Sequence, residues 1–195
     1  MRPLDTDAEH ADATALVQDR ALWLARRDVT LPHRHTIAFR NTQGEALGLY
    51  EYDTSGDEVL VGCLILDRQP AGRPWAEDGP ALSVSLVCTA PDRDDRVGHL
   101  ITVWLADFAA RTGATGVCAE APGTCSRNDS AAHRLLDHLR DLGWLITGNG
   151  PNLDGEPVAR LRLDPHRRKQ LTHLVHCTVP VPKPLPPAPA NEAAR

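Results

Sequence analysis

Residues 81–113 most constrain what this chain can fold into. Leu82, Val84 and Leu86 alternate with Ser83, Ser85 and Val87, the period of a strand with two unlike faces. The strand ends at Cys88-Thr89, and a polar turn follows, Ala90-Pro91-Asp92-Arg93-Asp94-Asp95-Arg96. Val97, Leu100, Ile101, Trp104, Leu105, Phe108 and Ala109 then recur at helical spacing as far as Gly113, which stops the helix. A helix that begins directly after a strand and turn presents free backbone N–H groups and the positive end of its dipole. Such a junction is an anion site, and a pyrophosphate fits it. Arg93 and Arg96 add positive charge there. Taken alone, the same residues also read as an ordinary strand–helix connection with solvated charges.

The remaining elements surround this unit. The spacing of Leu16, Val17, Ala21, Leu24 and Ala25 predicts a helix from about Ala8 to Arg27, with Asp5 or Asp7 as cap and Leu31-Pro32-His33 as its limit. A short strand at Thr36 to Arg40 comes next, then a better one at Ala46 to Asp53. The turn cluster Asp53-Thr54-Ser55-Gly56-Asp57 makes a hairpin with Val59 to Leu66, a run apolar enough to be buried on both faces. Gln69 to Pro80 reads as a loop, Gly116 to Ala121 as a short strand. Ser130 to Leu142 forms a helix with Ala132, Leu135, Leu136 and Leu139 inward, ended by Gly143. Leu145 to Thr147 is a strand, Gly148 to Gly155 a turn, and Val158 to Leu163 a strand with Ala159, Leu161 and Leu163 inward and Arg160 and Arg162 outward. From Val179 the proline density excludes helix and sheet and predicts an extended or disordered tail. The expected division is one domain over 1–178, its core about 5–163, and a proline-rich tail over 179–195.

Composition narrows the function classes. The 195 residues carry a net charge of −5, which argues against a protein that lives on nucleic-acid phosphates. Lys169 and Lys183 are the only lysines, so the positive charge is almost all arginine. No apolar run approaches the roughly 18 residues of a membrane span, and the acidic start Met1-Arg2-Pro3-Leu4-Asp5-Thr6-Asp7 lacks the apolar run of a signal peptide. A cytoplasmic protein without membrane partners is expected. The five cysteines, Cys63, Cys88, Cys118, Cys125 and Cys177, are odd in number and widely spaced, so reduced thiols are expected and not a disulfide framework. His33-Arg34-His35, and His173 with His176-Cys177, have metal-binding residue types without a second ligand pair, so no metal is expected. His166-Arg167-Arg168-Lys169 reads as a solvated helix start.

The order of elements and two sequence blocks resemble the GCN5-related N-acetyltransferase (GNAT) superfamily. Arg93-Asp94-Asp95-Arg96-Val97-Gly98 stands where that family has Arg/Gln-x-x-Gly-x-Gly/Ala. Asn128, Ala131-Ala132 and Leu142-Gly143-Trp144 are similar to the family's Asn…Ala…Gly-Phe block. The resemblance covers roughly Asp5 to Leu163. It implies an α+β fold: a mixed, mostly antiparallel sheet flanked by helices, with a splayed strand pair beside the strand–turn–helix site. It also implies acetyl-CoA as acyl donor. Backbone N–H groups between Arg93 and Gly98, including those of Asp94, Asp95, Arg96 and Val97, would hold its pyrophosphate. Val87, Cys88 and Thr89 would pair with the pantetheine arm, and Asn128 would lie near that arm's far end. The implied reaction is direct attack of an amine, on a small molecule or a protein, upon the thioester. A homodimer is compatible with the resemblance.

Two positions depart from the family pattern. Arg96 replaces the first motif glycine, and Leu139 stands where a tyrosine that protonates the leaving thiolate would fall. Strand 81–89 contains no carboxylate, which leaves Glu120, isolated in an apolar strand, as the candidate base. The plainer alternative for Glu120 is a solvent-facing or arginine-paired carboxylate. His133 and His138 are candidates for proton relay, Ser83 and Ser85 for holding a water. Tyr50 and Tyr52, with Glu51 and Asp53, are candidates for the acceptor pocket. The departures keep a second reading open, a non-catalytic or regulatory GNAT-like module that binds CoA or a partner.

Overall fold

The computed structural model describes residues 1–27, 44–68, 80–91, 93, 96–122 and 130–181. The strand expected at Thr36 to Arg40, most of the loop Gln69 to Pro80, Cys125 and the tail beyond Val181 lie outside the described residues. Strand β1 (Arg2–Pro3) precedes helix α1 (Asp7–Ala25). Thr6, and not Asp5 or Asp7, caps α1: its side chain accepts from the Glu9 N–H at 3.2 Å, while the Glu9 carboxylate accepts from the Thr6 N–H at 3.0 Å. The hairpin forms as the turn residues predict, with β2 at Glu45–Tyr52 and β3 at Glu58–Asp67. Asp53 organises the turn by accepting from the Ser55 and Asp57 N–H groups. β4 is Leu82–Thr89, α2 is Arg96–Thr112, β5 is Val117–Pro122 and α3 is Ser130–Asp141. β6 (Leu145–Pro151) and β7 (Pro157–Leu163) complete a seven-stranded sheet of order β1-β2-β3-β4-β5-β7-β6. Among the described residues only the β4–β5 pair is parallel, so the sheet is mixed and mostly antiparallel.

Several local expectations change. β6 continues through Gly148 to Pro151, because that stretch finds a partner in β7, and the tight turn is confined to residues 152–156. Val59 is 39% exposed, so β3 is buried on both faces only from Val61 onward. In α3, Ala132 and Leu136 are buried but Leu135 is 38% exposed, since the inward stripe is narrower than its leucines suggest. The alternation read along 81–89 is broken. Ile65 faces Leu86 but Leu66 faces Val84, so Ser85 is an extra residue in β4, a β-bulge. The bulge turns the strand over. Leu82 and Val84 pack into the larger core with α2 and α3, whereas Leu86 and Cys88 pack into a smaller core beneath α1.

The packed body runs past Leu163. Leu171, Val175 and Val179 are buried in the larger core, so Val179 is core and not tail. Asp107 on α2, 2% exposed, explains how this strap is held. It accepts from Arg167 Nη1 at 2.8 and 3.0 Å and from the Arg168 backbone N–H at 2.7 Å. The basic run is exposed and leads into a short helix, as expected, and through Arg167 and the Arg168 N–H it also anchors a buried carboxylate. The helix after it is one short 3-10 turn, Lys169–His173.

Candidate functional site

The bulge at Ser85 has a second effect. β4 and β5 pair only at Leu82↔Val117, Ser83↔Cys118 and Val84↔Ala119. Beyond that rung β4 stays with β3 as far as Thr89↔Gly62, and β5 stays with β7 as far as Pro122↔Val158. The two strands therefore part into a V at their C-terminal ends. The ladder decides which backbone groups face the V. Ala90 donates its N–H to the Val61 carbonyl at 2.9 Å. Antiparallel partners alternate, so Cys88 and Leu86 also turn their N–H and C=O toward β3. Val87 and Thr89 turn theirs into the V. Of the three residues named for a pantetheine arm, Val87 and Thr89 face the side of β4 on which no strand pairs with them among the described residues, and Cys88 does not. Val87 is 45% exposed and Thr89 half-buried, so the edge is open to a ligand.

The start of α2 stands at the mouth of this V. Gly62 on β3 lets it come close: a Cβ there would lie 3.1 Å from Ile101 Cδ1 and 3.2 Å from Val97 Cγ1. A lone glycine in an apolar strand is the sequence signal for such an approach. Gly98 is different, since a Cβ on it would meet nothing within 4 Å. Among the described residues, nothing therefore packs on the Gly98 side of the first turn of α2, a turn whose N–H groups are unpaired within the helix. Arg96 is exposed and makes no ion pair among the described residues. Arg93 is engaged: its Nη1 lies 3.0 Å from Glu51 Oε2, both side chains 44% exposed. Asp94, Asp95 and Asn128 lie outside the described residues.

The other candidates separate. Glu120 is half-buried on β5, in register with Arg160 of β7 and in no ion pair among the described residues. Ala119 and Ala121 enter the larger core, so Glu120 faces the other side of the sheet, at the level where β4 has just left. Ser83 is fully buried and its hydroxyl has no partner among the described residues, while Ser85 is exposed at the bulge. His133 is exposed and His138 half-buried on α3. Of the hairpin residues, Glu51 alone is drawn into the site. Tyr52 is 74% exposed, and Tyr50 lies under the Arg2 guanidinium, 4.2 Å from its ring centre. Of the histidine groups, His33-Arg34-His35 lies outside the described residues. No helix among the described residues is long and apolar enough to cross a membrane.

No family model and no curated protein sequence matches this chain. Solved structures do. An aminoglycoside 6'-N-acetyltransferase complexed with coenzyme A is similar at TM-score 0.53 and 12% identity, covering 85% of this chain and 97% of that one. The ribosomal-protein-S18-alanine N-acetyltransferase from Escherichia coli is similar at TM-score 0.50 and 15% identity, over 86% of this chain and 94% of that one. A GNAT-family protein from Desulfovibrio desulfuricans is similar at TM-score 0.54 and 13% identity, over 85% and 98%. With its splayed β4–β5 pair and the α2 start at the mouth of the V, this chain has the fold of the GCN5-related N-acetyltransferases.

Proposed function

We propose that this protein is an acyl-CoA-dependent N-acyltransferase, transferring acetyl from acetyl-CoA to an amine of a small molecule or a protein. One observation carries the reading. The free edge of β4 at Val87 and Thr89 leads to the open first turn of α2 at Gly98. An extended amide-bearing arm that ends in a pyrophosphate matches that sequence of groups. Val87 and Thr89 would bond the pantetheine amides as a strand would. The N–H groups of Val97 and Gly98 would take the pyrophosphate, and Arg96 would face it from the open side. Bound acetyl-CoA supplies the activated acyl group as a thioester. Holding an amine against it accounts for much of the acceleration, through proximity and orientation. Glu120, on the far face of the sheet beside the V, accepts the amine proton on its carboxylate. Chains of the same fold include one named for an aminoglycoside and one for a protein alanine, so both acceptor classes belong to the proposal. A cytoplasmic location goes with it.

Leu139 favours a second reading. It is packed against the larger core, so no proton donor for the thiolate stands at that helical position. A CoA-binding module without turnover is consistent with this. Purified protein with acetyl-CoA separates the readings. Ligand at 100 times its Kd stabilises by about 2.7 kcal/mol, which a thermal scan detects. No shift removes both. A shift with thiol release across a panel of amines supports the enzyme, and a shift without release supports the module.

Two substitutions probe the residues. Glu120→Gln is expected to lower kcat about 100-fold and to leave CoA affinity unchanged. An unchanged kcat would take Glu120 out of the role of base. Glu51→Gln frees Arg93 for the pyrophosphate. The pair is exposed and worth less than about 1 kcal/mol, so CoA should bind about two- to fivefold more tightly by calorimetry, and the gain should fade with salt. Weaker binding would instead mean that Glu51 holds Arg93 where the cofactor needs it.

A further inference from the structure

Cys63 and Cys88 are register partners across β3 and β4. They are 1% and 5% exposed, both free thiols, and both lie in the smaller core beneath α1. Partners in an antiparallel ladder have Cα atoms about 4.5–5.5 Å apart, inside the range a disulfide spans. Their thiols already interact. The hydrogen bond between them, with burial second, pushes Cys63 well above the ordinary thiol pKa. The same bond, aided by the nearby Arg20 guanidinium, holds Cys88 below it against the effect of burial. Cys88 Sγ also lies 4.0 Å from the Leu16 carbonyl on α1. The two sulfurs thus lie in one buried cluster, with the Cys88 thiol donating to the Leu16 carbonyl at the underside of α1. The helix above is lightly held, since only Ala13, Leu16 and Val17 of α1 are buried. A cover of that kind opens locally at low cost.

We propose that Cys63 and Cys88 form a peroxide-responsive pair that closes into a disulfide. The Cys88 thiolate attacks one oxygen of hydrogen peroxide. The O–O bond breaks, hydroxide leaves and takes up the thiol proton as water, and Cys88 becomes a sulfenic acid. The Cys63 sulfur then attacks Cys88 sulfur, the S–O bond breaks, and the departing hydroxide takes the Cys63 proton as a second water. Two thiols have lost two electrons and peroxide has gained them. A low-molecular-weight thiol reverses the reaction by exchange. Cross-strand Cβ atoms at a hydrogen-bonded rung are farther apart than a disulfide allows, so closure draws β4 toward β3 at Cys88. Val87 and Thr89 flank that point and face the V, so oxidation alters the ligand edge. This consequence, unlike the disulfide itself, rests on the proposed cofactor reading.

Folded wild-type protein is treated with hydrogen peroxide, blocked with an alkylating reagent and digested without reduction. The expected product is a linked peptide pair containing Cys63 and Cys88, absent after dithiothreitol. In Cys63→Ala the same treatment should leave Cys88 as sulfenic or sulfinic acid, with no link. Sulfinic acid on Cys88 beside an unmodified Cys63 in wild type would overturn the proposal. So would both thiols remaining free at a peroxide level that oxidises them in urea. The consequence is read separately, by comparing CoA affinity before oxidation, after it and after reduction. A reversible change supports it. A linked pair with unchanged affinity removes the consequence and leaves the disulfide in place.

Discussion

Gly98→Asp is expected to weaken CoA binding at least tenfold while leaving the fold as stable as before, or more so. A Cβ at Gly98 enters open space, and Gly98 is not among the glycines that need a positive φ, so the substitution meets no steric or backbone penalty. Any residue but proline is a better helix former than glycine, and a carboxylate in the first turn interacts well with the helix dipole, by about 0.3–1 kcal/mol. The same carboxylate then occupies the place proposed for the pyrophosphate. Two like charges about 4 Å apart near a protein surface repel by up to about 4 kcal/mol before salt screening, and 1.4 kcal/mol already means tenfold in Kd. Calorimetric Kd together with the thermal midpoint checks both halves. Gly98→Ala, which adds only a methyl group, should lose much less. If Gly98→Asp binds CoA as the wild type does, the anion does not sit on the start of α2 and the proposed cofactor geometry falls.

The second large effect concerns the strap. Asp107→Ala is expected to cost about 3 kcal/mol, read from urea unfolding at constant m-value. Asp107 is 2% exposed and takes three hydrogen bonds from the segment that crosses α2. Its loss leaves the Arg168 N–H without an acceptor and releases Arg167 to solvent. Asp107→Asn keeps a carbonyl for the Arg168 N–H and should recover about half of the loss. Arg167→Ala should cost as much as Asp107→Ala, although the Arg167 side chain is 52% exposed, because it strips a buried carboxylate of its nearest cation. Arg111, at 3.8 Å, is only a partial substitute. Losses below about 1 kcal/mol for all three would reduce the cluster to a surface ion pair with no part in holding the strap.

These two predictions sit on opposite sides of what could be read from the chain. Gly98, Val97 and Arg96 were legible. A helix period, a preceding strand period and a polar turn between them are local patterns, and the anion-binding end of a helix follows from its backbone alone. The inward leucines of β7, the hairpin at 53–57 and the stop at Gly113, with φ of 75°, were legible for the same reason. Asp107 was hidden inside an otherwise apolar helix stripe, and Arg167 in a basic run that reads as solvent-facing. Neither residue names the other across an interval of 60 positions. An unexplained carboxylate in a buried stripe was the available signal.

By itself, then, the sequence determined most of the elements, their order and the strand–turn–helix junction, because backbone periodicity, turn chemistry and helix capping act over a few neighbouring residues. Only the tertiary structure decided the bulge at Ser85, the opening between β4 and β5, the choice of Val87 and Thr89 over Cys88 at the free edge, the pairing of Arg93 with Glu51, and the meeting of Cys63 with Cys88. A strand's register is a property of two strands at once. A shift of one residue exchanges its faces and its free edge without any change in the local pattern.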